Sequence, residues 1–195
     1  MPESTDQPQS DERTAAFLST VDRFDERIDA LFEPLRAQPW ANRLFYSLSA
    51  IADHSILWFI FAAFLALFPG ASRRGQRAFI ALWLESGIVN LVVKTIFRRE
   101  RPVYDGPRPL PLRQPLTSSF PSGHATAATC AAILLSEGTA SAPLLFALAG
   151  LVAISRIHVR IHHASDVIGG VVFGALFAYV VKTVSPINPS RSSVR

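Results

Sequence analysis

The chain has one cysteine and one methionine in 195 residues, and only 17% of its residues are charged. With Cys130 alone, neither an internal disulfide nor a cysteine-held metal site can form. Cys130 lies inside an apolar run and is expected to pack there. The first 40 residues contain no long apolar run, so no secretory signal is read in them. No internal repeat is visible. The longest apolar stretch also lacks a polar face: residues 167–184 carry one charge, Lys182. A soluble helical bundle needs a polar stripe on each helix, so the reading as five buried helices of a soluble protein is disfavoured.

What is present is a series of apolar runs, at residues 55–68, 78–97, 122–135, 143–157 and 167–184. A bilayer span takes roughly 20 residues. Several runs are short alone but can borrow polar flanks. The expected fold is all-α, a polytopic transmembrane bundle of about five spans. Residues 1–10 and 185–195 are expected to be disordered tails, and 41–184 to form the membrane domain. Within 11–40, Phe17, Val21, Phe24, Ile28, Leu31 and Leu35 recur at steps of three and four, which predicts one amphipathic helix. Its acidic opposite face argues against anionic lipid and favours packing on the bundle or pairing with a second copy, giving a homo-oligomer.

Charge is uneven. Residues 1–37 hold nine acids and four arginines, net −5, and residues 38–195 hold six acids and 15 bases, net +9. The bases cluster at the ends of apolar runs and form no exposed stripe, so no nucleic-acid partner is expected.

Three polar clusters sit beside the runs. Lys94 and Arg101-Pro102 are seven residues apart, two helical turns, so both cations can face one way. Lys94 lies inside its run, where a cation is costly and usually functional. Arg98 and Arg99 read more simply as cations snorkelling to the interface. Pro121-Ser122-Gly123-His124 opens the next run. Ser122 can cap a helix there, Gly123 admits a ligand to the backbone, and free helix-start amides favour an anion. Taken alone, this is equally an ordinary helix start. The third cluster holds Ser155, Arg156, His162 and Asp166. Four residues separate His162 from Asp166, so a helical turn would put carboxylate beside imidazole and free the other ring nitrogen as nucleophile or base. A plain salt bridge, or a metal held by His158, His162, His163 and Asp166, competes with that reading. Three cations would repel a metal, whereas cations, helix amides, two histidines and an acid suit a phosphate in transfer.

Lys94-x6-Arg101-Pro102, Pro121-Ser122-Gly123-His124 and Ser155-Arg156-x5-His162-x3-Asp166 together resemble the three-part signature of the type 2 phosphatidic acid phosphatase family. The resemblance implies a helical membrane enzyme that hydrolyses lipid phosphates without metal or other cofactor. By it, His162 is the nucleophile and becomes a phosphohistidine, Asp166 orients it, and His124 is the general acid and then base. Lys94, Arg101, Ser122, Gly123 and Arg156 bind the phosphate. His158 and His163 fall off the signature and are given no chemistry. Arg160 could touch substrate or a lipid headgroup. Glu85 and Asn90 read as makers of interhelical hydrogen bonds or as lining of a substrate path.

Counting crossings puts all the polar clusters on the face that holds the N-terminus. Five spans with a hydrophilic N-terminus then place the site on the cytoplasmic face of the cell membrane, although the family commonly has six spans. The five-span form and the stretch Ala-Asp-His-Ser-Ile-Leu-Trp at 52–58 are similar to small actinobacterial members. That similarity implies a polyprenyl- or diacylglycerol-type substrate, and decaprenylphosphoryl-5-phosphoribose as the specific one. A phosphotransferase, a vanadate-binding haloperoxidase and a non-catalytic binder of anionic lipid are the alternatives.

Overall fold

The computed structural model describes residues 7–104, 106 and 108–187. Residues 1–6 and 188–195, within the tails expected to be disordered, lie outside the described residues. Every regular element among the described residues is helical. In chain order these are α1 (Gln7–Leu31), α2 (Glu33–Arg36), α3 (Pro39–Ile51), α4 (Ile56–Ala66), α5 (Ser72–Ile88), α6 (Lys94–Phe97), α7 (Gly123–Leu135), α8 (Ala142–His158) and α9 (Ala164–Val184). The first helix therefore begins inside the stretch expected to be a disordered tail.

α7 is the hub, because its side chains are small. Ala125, Ala127, Ala128, Cys130, Ala131 and Ala132 are all buried, and α4, α5, α8 and α9 pack around them. The tightest crossing is with α9. A Cβ on Gly170 would lie 2.6 Å from Ser122 O, and one on Gly174 would lie 2.3 Å from Thr126 O. Small residues four apart let two backbones approach closely, which is how helices associate in lipid without a hydrophobic driving force. This crossing also fixes the first turn of α7 against the first turns of α9.

The outside of the bundle is apolar. Ile60, Phe64, Ile80, Trp83, Leu176 and Val180 are all exposed. In water such a surface would be strongly unfavourable; in hydrocarbon it is the lipid-facing side. α5 runs through a π-turn, Val89–Val93, into α6, and this 26-residue helix Ser72–Phe97 is long and apolar enough to cross a membrane, as is Ala164–Val184 with 21 residues. The span expected from the run at residues 55–68 is instead the second half of a broken pair: Pro39–Ile51 meets Asp53–Ala66 at 54°. His54 and Ser55 take left-handed φ values of 50° and 61°, which end α3 and restart the chain as α4. α7 and α8 are shorter apolar helices of 13 and 17 residues.

α1 packs along the start of α9, with a seam different from the expected stripe. Asp25 is buried, and Ile28 and Phe32 pack on Ala125, Ala153, Ile157, Ala164 and Val167. Phe17, Phe24 and Leu31, from the same predicted stripe, are exposed. Asp25 turns inward onto Arg99 (2.7 Å), while the half-buried Asp29 binds Arg36 (2.5 Å) and Arg160 (3.2 Å), and Arg160 also reaches the exposed Glu33. Arg160 is therefore engaged with α1 and α2, not left free for a headgroup.

Candidate active site

Ser122 is the N-cap of α7, its Oγ accepting from Ala125 N at 3.4 Å, and its own N–H donates to Asp166 O at 3.0 Å. The start of α7 is thereby joined to the first turn of α9. Gly123 follows, and a Cβ there would stand 3.8 Å from Lys94 Nζ, inside the space between the cation and the helix start. His124 Nε2 lies 3.2 Å from Ser49 O. A carbonyl can only accept, so Nε2 carries the proton. Asp53 Oδ1 is 3.9 Å from the same nitrogen.

Lys94 reaches this point because of the π-turn. Nine residues at about 100° each would set Glu85 and Lys94 on opposite sides of an ideal α-helix. The wider turn removes part of that rotation, and both residues line one cleft. Arg101 does not arrive by helical spacing. The helix stops at Phe97, Arg98 turns left-handed with φ 32°, and Arg101 comes from the irregular chain beyond. That chain anchors it through Thr117 O (3.0 Å), Ser118 O (3.0 Å) and Ile161 O (2.9 Å).

The spacing of His162 and Asp166 is not a helical turn either. α8 ends at His158, and α9 begins at Ala164 behind the N-cap His163, so His162 sits in the intervening loop and Asp166 in the first turn of α9. Their approach is 3.7 Å, Nδ1 to Oδ2. Asp166 Oδ2 is shared by Ser119 Oγ at 2.5 Å and His163 N at 2.8 Å, and Ser119 Oγ is itself 3.5 Å from His162 Nδ1. On the other side of the ring, Arg101 Nη1 lies 3.2 Å from Nε2. A guanidinium cannot accept, so Nε2 presents its lone pair and Nδ1 bears the proton. The geometry thus fixes the tautomer a nitrogen nucleophile needs. Burial, with Arg156 and Arg101 adding to it, pushes the His162 pKa down to about 3 despite the opposing pull of Asp166.

This gives a prediction about pH. A histidine ordinarily gains its proton near about pH 6.5. His162 should gain its own only as pH falls towards about 3, so the imidazole stays neutral and nucleophilic in weak acid. Nitrogen NMR of histidine-labelled protein in micelles should show the Nδ1-protonated neutral form of His162 at about pH 5. An imidazolium signal there would contradict it.

Lys94, His124, Arg156 and His162 line one cleft of about 380 Å³, with Asp53, Glu85 and Asn90 on its walls. Arg156 is almost wholly buried; its Nη1 bonds Ser49 Oγ and its Nε has no partner. Lys94 has Thr117 Oγ1 at 3.4 Å. None of the ion pairs among the described residues involves Lys94, Arg101 or Arg156. Asp53 and Glu85 on the walls offset part of this charge without pairing directly with it, and buried cations lacking a direct partner are costly, so the cleft suits an anion. The same cleft shares Ser86 and Asn90 with an apolar groove of about 640 Å³ formed by Phe59, Trp83, Leu84 and Leu91.

All eight residues singled out in the sequence gather here, and His158, which was given no chemistry, stays outside the cleft as expected. His158 Nε2 pairs with Asn42 Oδ1 at 2.9 Å and its ring stacks on Phe45, apart from His162. Asn90 bonds Ser86 O of its own helix at 2.9 Å instead of bridging helices. Arg99 is not a snorkelling cation: it binds Asp166 Oδ1 and Asp25 Oδ2, each at 2.7 Å. Arg99, Ser119 and Asp53 were not legible as neighbours of the site, since loops bring them in and no periodicity marks them.

Three comparisons bear on this arrangement. The PAP2 superfamily model matches residues 77–189. The decaprenylphosphoryl-5-phosphoribose phosphatase of Mycobacterium tuberculosis is 36% identical over 143 residues, covering 70% of this chain and 76% of that protein, and its namesake from Mycolicibacterium smegmatis is 37% identical over 124 residues, 64% and 68% of the two chains. The crystal structure of the transmembrane PAP2-type phosphatidylglycerolphosphate phosphatase from Bacillus subtilis superposes with TM-score 0.67 at 26% identity, covering 85% of this chain and 86% of that one.

Proposed function

This chain belongs to the PAP2 superfamily and is a membrane lipid phosphatase, and on that premise we propose how its residues divide the work. The observation that carries the reading is the lone pair of His162 Nε2, held 3.2 Å from Arg101 beside a cleft whose cations Lys94 and Arg156 make no direct ion pair among the described residues. Lys94, Arg101 and Arg156, with the free amides at Gly123 behind Ser122, take the phosphate oxygens and stabilise their charge in transfer. His162 Nε2 attacks phosphorus in line. The ester P–O bond breaks, and the leaving oxygen takes a proton from His124. Asp53, 3.9 Å away, supports His124 while it holds both ring protons. Water then gives a proton to His124 and attacks the phosphohistidine, releasing inorganic phosphate and neutral His162. Asp166 holds the Nδ1 side through both steps.

The substrate is a polyprenyl lipid phosphate, with decaprenylphosphoryl-5-phosphoribose as the specific proposal. Identity to the mycobacterial phosphatases supports it, and the apolar groove that meets the cleft at Ser86 and Asn90 is a path for a long chain. The proposal includes a multi-pass cell-membrane protein with 41–184 as its catalytic domain. A cytoplasmic face for the site is part of the proposal, and the packing of hydrophilic α1 against α9 on the site's own side of the bundle is compatible with it. Self-association would use the apolar residues that α1 leaves outward, Phe17, Phe24 and Leu31.

Phosphate release by detergent-purified protein tests the reading, with EDTA present and with polyprenyl, diacylglycerol and soluble phosphates as substrates. Release from the polyprenyl phosphoribose, unchanged by EDTA, is expected. Loss of release in EDTA would mean that a metal takes part, and phosphate appearing on an acceptor instead of in water would make the protein a transferase.

A further inference from the structure

Asp25 lies on α1, far in sequence from all three motifs and before residue 77, where the family match begins. It is nevertheless only 5% exposed, and each of its oxygens is used. Oδ1 accepts from Ser165 N at 2.7 Å, and Oδ2 accepts from Ser165 Oγ and from Arg99 Nη2, each at 2.7 Å. The second arm of the Arg99 guanidinium, Nη1, donates to Asp166 Oδ1 at 2.7 Å and to Ser165 Oγ at 2.6 Å. Arg99 is the only side-chain donor to that oxygen among the described residues, since Ser119 Oγ and His163 N both go to Oδ2.

The guanidinium is planar, so two carboxylates on its two arms fix its plane. Asp25 sets the angle, and Asp166 takes its orientation from it. Backbone contacts support the bridge, because Ser119 N donates to Arg99 O at 2.8 Å and Arg99 N donates to Ser118 Oγ at 2.9 Å. With Asp25 removed, the only carboxylate left near that arm among the described residues would be Asp22, 67% exposed and 3.7 Å from Nη2, so the 23% exposed Arg99 side chain could swing toward it and the water. Asp166 would then be pinned through one oxygen only, and His162 beyond it would lose a fixed partner.

We propose that Asp25 is a positioning residue of the active site: through Arg99 it holds Asp166 in the orientation that aligns His162, which makes the N-terminal helix a working part of the catalytic domain. The inference rests on the reading that Asp166 orients the nucleophile. Asp29, on the same helix, serves as the internal comparison. It pairs with Arg36 and Arg160 and does not touch Arg99 or Asp166.

The test is steady-state kinetics on full-length protein in micelles, with monodispersity checked for every variant. Asp25→Asn should lower kcat about 10–100-fold, the usual cost of removing a group that orients a reactive side chain, with KM within about threefold. Asp29→Asn should leave kcat unchanged. Arg99→Gln should lose as much as Asp25→Asn, and the double variant no more than Arg99→Gln alone, because the two act in series. Should Asp25→Asn fail to fold, Asp25→Glu decides: it keeps the charge but shifts it by one methylene, and kcat should still fall several-fold at normal KM. Full kcat in the folded Asp25 variant, or losses that multiply in the double variant, would overturn the proposal. Asp166→Asn separates this from its premise. If that variant keeps its rate, the orienting role of Asp166 fails whatever Asp25 does.

Discussion

His162→Ala should release no phosphate and leave no phosphorylated protein, a loss of at least about 10⁴-fold in kcat. The substitution removes the only nitrogen, among the described residues, whose lone pair the structure directs at the Arg101 guanidinium. The groups proposed to bind the phosphate keep their anchors, since three backbone carbonyls hold Arg101 and Ser49 holds Arg156. Lipid phosphate should therefore still bind, and KM should move far less than kcat. Rapid mixing with labelled substrate and an alkaline quench would preserve a P–N bond, which acid cleaves, so wild type should show acid-labile label and the variant none. His162→Gln, of nearly equal volume, guards against a packing defect at this 3% exposed site. Label of equal amount and stability in either variant would move the nucleophile elsewhere, with His124 the first place to look.

The residues of the site were legible because their chemistry is conspicuous at a membrane boundary: a lysine within an apolar run, a glycine and histidine at a helix start, and histidine with aspartate between two apolar helices. How they meet was not legible. Helical periodicity accounts for neither Lys94 with Arg101 nor His162 with Asp166, because the chain leaves α6 at Arg98, before Arg101, and leaves α8 at His158 to re-enter a helix only at Ala164, after His162. A π-turn and a left-handed residue have weak sequence signals, and both reset the rotation that spacing assumes. The apolar runs predicted the helices of the bundle but not the break at His54 and Ser55, which lies at the start of a run and puts Asp53 beside His124. The α1 seam was misread for another reason. Hydrophobic periodicity finds the apolar face and takes it to be the docked one, whereas Arg99 draws Asp25 inward and Arg36 and Arg160 hold Asp29, so that Ile28 docks but Phe17 and Leu31 are left exposed.

Gly174→Val should prevent the bundle from assembling, while Gly87→Ala, the same kind of position by sequence, should stabilise it slightly. Both glycines lie inside apolar helices, where glycine costs roughly 0.5–1 kcal/mol relative to alanine. Around Gly87 an added Cβ meets nothing within 4 Å, so alanine there recovers that difference. At Gly174 the first added atom would stand 2.3 Å from Thr126 O and 3.1 Å from both Thr126 C and Thr129 Cβ. The first of these is backbone carbonyl in the first turn of α7 and cannot rotate aside, so α7 and α9 must separate. Separation would also pull Ser122 N from Asp166 O, and with it the helix start from the loop that carries His162. Overpacking ordinarily costs about 1–3 kcal/mol, and more where backbone is met. Detergent size-exclusion profiles and thermal melts check both sides: Gly87→Ala should elute as wild type and melt slightly higher, and Gly174→Val should elute aggregated or melt far lower, without phosphatase activity. A well-folded, active Gly174→Val would mean that α7 and α9 do not cross at this point, and the site assembled on their first turns would need another scaffold.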